Sequence, residues 1–156
     1  MKISDILTED LVVAGLKGTS KNDIIDAMVD LVATSPKVLD KEKVRAAILE
    51  REHIMSTGVG NGFAIPHGKT DAVADIVAAF AVTGEDIDYD SLDEKPVRLV
   101  FLLVGKDNLV GPHIKLLSRI SRLMNKEEFR KRLLTVTSPK DILEMFRQEE
   151  ASYFEV

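Results

Sequence analysis

The chain has 156 residues, a length that one domain fills, and its 45% hydrophobic and 30% charged residues give the balance of a globular protein. Lys and Arg number 21 against 26 Asp and Glu, so the formal charge of −5 argues against nucleic-acid binding as the main role. No cysteine is present, which excludes disulfides, thiol nucleophiles, thiolate zinc sites and iron–sulfur clusters. The longest apolar runs, residues 76–82 and 99–104, fall short of the roughly 20 residues of a membrane span, and residues 1–10 lack an h-region and a cleavage site. The expected location is therefore the cytoplasm, with no direct insertion into a membrane.

In chain order, Ser20 and Asp23 read as a capping box, and Ile24, Ala27, Met28, Leu31 and Val32 recur at helical spacing, which predicts a helix to about Ala33. Thr34, Ser35 and Pro36 break it, and Asp40 caps a second helix with Val44, Ala47 and Ile48 on one face. Arg51 continues that stripe and is expected to point where the apolar residues point. Residues 56–62 read as a loop, because Gly58, Gly60 and Gly62 suit neither a helix nor a regular strand. A short strand is predicted at residues 63–65, which Pro66 ends. Residues 76–82 and 97–104 have the continuous apolar pattern of strands covered on both faces, so helices are expected on both sides of the sheet. Residues 84–95 form an acidic connection pinned by Tyr89. Gly111 and Pro112 open a third long helix with His113 in its first turn and Ile114, Leu117, Ile120, Leu123 and Met124 as a core stripe. Two shorter helices follow, capped at Asn125 and at Ser138, and residues 149–156 are expected to fray. The fold class is α/β with mixed α+β character: one domain, with a central mixed sheet flanked by helices on both faces.

Familiar catalytic motifs fail on inspection. His67, Gly68, Lys69 and Thr70 end like a phosphate-binding P-loop, but the glycine that motif needs at position 63 is Phe63. Gly58, Gly60 and Gly62 also miss the dinucleotide-binding spacing. Neither a nucleophile elbow nor a zinc-binding His-Glu-x-x-His helix occurs. The three histidines, His53, His67 and His113, are too far apart in sequence to define a metal site, and no metal or other cofactor is expected. His53 is off the apolar stripe and is assigned no role.

Residues 58–68 make sense as a device for presenting one imidazole. Alternation puts His67 on the side of Phe63 and Ile65, and Gly68 is expected to turn the backbone with positive φ beside the ring. An ordinary strand-end histidine remains the competing reading from composition alone. Glu50, Arg51 and Glu52, followed by Ser56, Thr57 and the run from Gly58 through Pro66, His67 and Gly68, closely resemble the active-site region of fructose/mannitol-type enzyme IIA proteins of the bacterial phosphoenolpyruvate-dependent sugar phosphotransferase system, a pattern shared by nitrogen-regulatory enzyme IIA proteins. Residues 99–104, Pro112, His113 and the helix at 116–124 resemble the second active-site segment of that family.

The resemblance implies a mannitol-type enzyme IIA fold over residues 1–150 with a short tail at 151–156. It implies that His67 is phosphorylated, that Arg51 stabilises the phosphoryl charge and that His113 is the second active-site histidine. A histidine-containing phosphocarrier protein (HPr) would be the donor, and an enzyme IIB or a regulatory target the acceptor. Packing or ion-pairing roles for Arg51 and His113 stay open at this stage. Asn61, Thr57 and Ser118 could add hydrogen bonds or simply form turns and surface, and Phe63, Leu109 and Val110 could contribute to a docking patch.

Overall fold

The two long apolar runs lie at the centre of a six-stranded mixed sheet, in a computed structural model that describes residues 2–108 and 110–154. The strands are β1 (Val12–Leu16), β2 (Gly58–Gly60), β3 (Phe63–Ala64), β4 (His67–Lys69), β5 (Val77–Ile87) and β6 (Val97–Gly105), in the order β1-β5-β6-β3-β2 with β4 also on β6. β5 and β6 pair antiparallel, whereas β1 on β5 and both β3 and β4 on β6 are parallel. Helices α1 (Ile3–Ile6), α4 (Val110–Met124), α5 (Glu127–Thr135) and α6 (Pro139–Phe154) contribute to the core on one face; α2 (Lys21–Val32) and α3 (Lys41–Ile54) cover the other. Both faces of β5 and β6 are thus buried, which is why their sequences show no polar alternation. The first core is centred on Phe146 of α6, whose ring meets Phe80, Phe101 and Phe129 at centroid distances of 5.0, 5.7 and 5.3 Å.

Ser20 and Asp40 cap α2 and α3 as expected, accepting from the backbone N–H of Asp23 and Lys43, and Ser138 accepts from Asp141 N at the start of α6. Other boundaries differ from expectation. The glycine-rich stretch is not a loop but a tight hairpin: β2 pairs antiparallel with β3, and Asn61 and Gly62 carry φ of 59° and 78°, the positive values that a two-residue hairpin turn requires. β3 ends at Ala64, ahead of Pro66, and a new strand, β4, starts directly after the proline. The Pro66 carbonyl accepts from Leu103 N, and pairing to β6 resumes at His67 opposite Leu103. β5 runs on to Ile87 across a register shift, so the acidic connection is shorter than expected, with Tyr89 wholly buried at its start.

Asn125 caps nothing; its N–H extends the ladder of α4, and α5 starts after Lys126 without a side-chain cap. The expected fraying from residue 149 is corrected as far as residue 154, residues 155 and 156 lying outside the described residues. α6 continues to Phe154 because Glu150 is buried and accepts from the N–H groups of Ile3 and Ser4 and from Arg119. Helix α1, the 3₁₀ turn Glu9–Leu11 and β1 escaped the sequence reading; Gly15, at φ 83°, interrupts the β1 register and masks its alternation. No helix among the described residues is long and apolar enough to cross a membrane.

Candidate active site

His67 opens β4 at an end of the sheet, where the strand lies between the α3 and α4 layers. A cleft of about 470 Å³ there is walled by Ala47, Arg51 and Ile54 of α3, by His67 and Lys69 of β4, and by His113 of α4. The three residues singled out from the sequence therefore meet in one place. The half-buried His67 ring directs Nδ1 to the carbonyl oxygen of Ile65 at 2.8 Å. A carbonyl can only accept, so Nδ1 carries the proton and Nε2 holds a lone pair. Burial, with the nearby charges of Arg51 and Lys69, lowers the His67 pKa below its usual 6.5, against a smaller upward pull from the Ile65 bond and Glu52. The ring is neutral at neutral pH.

His113 faces it, with ring centroids 5.9 Å apart and planes at 50°. Only 2% of the residue is exposed, and neither ring nitrogen has a hydrogen-bond partner among the described residues. Burial, then repulsion from His67 once that ring is protonated and from Lys69, pushes its pKa down to about 4. Neither nitrogen is committed to another described residue, so the neutral ring keeps one N–H donor and one lone pair uncommitted beside the cleft. The room for this ring comes from Gly105 on β6: a Cβ there would lie 2.8 Å from His113 Nδ1.

Two expectations are corrected here. Gly68 does not adopt positive φ; it is a glycine because α3 crosses directly over it, and a Cβ would sit 3.1 Å from the backbone carbon and oxygen of Ala47. Arg51 does not point into the core beside Val44 and Ile48. It is half-buried along the cleft wall, and its Nη1 donates to the carbonyl of Met55 at 2.8 Å. The next residue, Glu52, is the one that turns inward.

Lys69 was missed. Its signal was simple alternation, since it follows His67 by two residues on one strand. Thr57 is buried away from the cleft against Glu52 and Tyr89, Asn61 sits in the hairpin turn with its N–H on Asp93, and Ser118 lies on the outer face of α4. His53 is exposed on another surface. Phe63 is buried in the core, Val110 is exposed at the start of α4, and Leu109 lies outside the described residues. Among the described residues no group of three or more His, Cys, Asp or Glu could hold a metal ion.

Two imidazoles, an arginine and a lysine around an open cleft at the end of a mixed sheet give an α/β protein with a cationic, histidine-lined cleft. Residues 5–149 match the family described as "Phosphoenolpyruvate-dependent sugar phosphotransferase system, EIIA 2", and the chain belongs to that family. It is 37% identical over 150 residues to a fructose-specific EIIABC component of Bacillus subtilis, covering 96% of this chain but 24% of that protein. The chain thus spans about a quarter of that relative's length. A fructose-specific EIIA component of Haloferax volcanii is 34% identical, with 94% of this chain and 95% of that protein covered.

Among solved structures, the nitrogen regulatory protein IIA-Ntr of Neisseria meningitidis superposes with a TM-score of 0.86 at 31% identity, covering 92% of this chain and 98% of the other. The enzyme IIA of the mannitol system of Escherichia coli, solved in complex with phosphorylated enzyme IIB, shares the fold at a TM-score of 0.78 and 21% identity, with coverages of 92% and 99%. The fold is thus the mannitol-type enzyme IIA fold, and membership of the family supports a phosphoryl-carrier role.

Proposed function

We propose that this protein carries a phosphoryl group on Nε2 of His67, taken from the phosphohistidine of HPr and passed to an enzyme IIB. The observation that carries the reading is the 2.8 Å contact from His67 Nδ1 to the Ile65 carbonyl, which leaves Nε2 as the nucleophile facing the cleft. In the transfer the P–N bond of the donor breaks, its electron pair returns to the donor ring, and a new P–N bond forms at Nε2. His67 keeps its Nδ1 proton, and the Ile65 carbonyl stabilises the positive charge that develops on the ring.

Little covalent chemistry is asked of the protein beyond positioning and charge stabilisation. Arg51 supplies a planar cationic fork: with Nη1 resting on the Met55 carbonyl, its other N–H groups turn to the phosphoryl oxygens. His113 donates an N–H to the same group while remaining uncharged. Onward transfer to the thiolate of an enzyme IIB would form S–P as N–P breaks, and a membrane enzyme IIC would then use the group for sugar uptake. A carrier in that relay would work in the cytoplasm. A second reading rests on the likeness to IIA-Ntr: the same site would act as a switch, because a dianion in a cleft rimmed by exposed Ile54 and Ile114 changes which partner can dock.

Intact mass after incubation with phosphoenolpyruvate, enzyme I and HPr tests the assignment. One acid-labile phosphoryl adduct is expected on the wild-type chain and none on His67→Ala, with circular dichroism unchanged. An adduct that persists in His67→Ala overturns the site.

A further inference from the structure

The end of α3 is held by two neighbouring side chains that both reach forward along the chain. Arg51 donates to the Met55 carbonyl, and Glu52 accepts from Thr57 N at 3.1 and 3.3 Å and from the Thr57 hydroxyl. Glu52 is buried, and a buried carboxylate is tolerated only when it is paired and hydrogen-bonded. Here it is. Tyr89 donates its hydroxyl to Oε1 at 3.1 Å, and Lys21 forms an ion pair with Oε2 at 2.9 Å while lying 4.7 Å above the Tyr89 ring. Four chain segments, the first turn of α2, the last turn of α3, the entry to β2 and the loop after β5, thus converge on one carboxylate.

This network touches none of the cleft walls except through α3. The helix ends without a C-terminal glycine: Met55 is already extended, at φ −165° and ψ 142°, so the path of residues 55–57 is set by these side chains. That path carries the carbonyl on which Arg51 rests.

We infer that the buried Glu52, Tyr89 and Thr57 cluster is a positioning device for Arg51, fixing the last turn of α3 so that the guanidinium stands at the edge of the cleft before a phosphoryl group arrives. The inference rests on the phosphocarrier reading. Pre-placing a long, flexible cation removes the cost of ordering it during transfer, so the benefit falls on the chemical step and not on donor binding.

The test is single-turnover transfer from phospho-HPr over a range of donor concentrations, with Tyr89→Phe, Thr57→Val, Thr57→Ser, Arg51→Ala and the double variant Tyr89→Phe/Arg51→Ala, each confirmed as folded by circular dichroism. Tyr89→Phe and Thr57→Val are expected to slow the maximal rate about tenfold with the half-saturating donor concentration unchanged, and Thr57→Ser to restore it. The double variant is expected to be no slower than Arg51→Ala alone, since the cluster then has nothing left to position. Independent multiplication of the two defects, or a wild-type rate in Tyr89→Phe, overturns the inference. If the wild-type chain accepts no phosphoryl group, the phosphocarrier reading fails. The positioning of Arg51 is then decided by ¹⁵N relaxation at its Nε: greater mobility in Tyr89→Phe supports it and unchanged mobility overturns it.

Discussion

His67 and His113 stand 5.9 Å apart and burial holds both neutral, the first against the upward pull of the Ile65 carbonyl on its Nδ1–H, the second with no partner for either nitrogen among the described residues. The burial of His113 has a consequence for acid stability. Its pKa of about 4 in the folded protein lies below the 6.5 of an unfolded chain, so between those values the unfolded state binds a proton that the folded state refuses. Stability is therefore full above pH 6.5 and declines as pH falls toward 4, by up to about 3 kcal/mol. The lowered His67 acts in the same direction. Urea denaturation of the wild type and His113→Gln at pH 7 and pH 5 should show the smaller pH dependence in the variant; equal slopes would refute the assignment. At this scale the sequence was most informative where the family motif names a residue, as for His67, Arg51 and His113. It was silent on Gly105, Glu52 and Lys69, whose roles depend on what the fold places opposite them.

Among the secondary-structure elements, the crossing of α3 over β4 does most to shape the cleft. Gly68 lets the helix backbone approach, and a methyl group there meets the carbonyl carbon and oxygen of Ala47, which cannot move without the helix. Gly68→Ala is expected to cost about 1 to 3 kcal/mol of stability and to slow phosphoryl transfer, because α3 carries Arg51. Denaturant midpoints and transfer rates measured together check it, and loss of stability with an unchanged rate would separate the helix crossing from the site. The glycine itself was plain in the sequence but its reason was not: a residue without a side chain serves turns, positive φ and close packing alike, and only the partner element distinguishes them. The same ambiguity hid the hairpin at Asn61 and Gly62 inside what read as a loop.

Across the whole molecule, helices on both faces, the two central strands and most helix caps were legible, since apolar periodicity and capping chemistry are local signals. The N-terminal elements and the length of α6 were not, because they depend on long-range contacts: β1 pairs with β5, Ile3 and Ile6 enter the core, and Glu150 joins α6 to the backbone of α1, 147 residues away at Ile3, and to Arg119 of α4. Glu150→Ala is expected to lower stability by about 1 to 3 kcal/mol by leaving buried N–H groups without an acceptor, while phosphoryl transfer from HPr proceeds at the wild-type rate. A slowed rate would show that this tie reaches the cleft. The cleft itself is assembled from α3, β4 and α4, with one wall from each helical layer and its central ring from the sheet between them. No single segment contains it, so the proposed uptake of the group requires the fully folded chain. The proposed adduct would therefore be a chemical reporter of folding: after a brief pulse of donor in increasing urea, the fraction labelled should follow the native population.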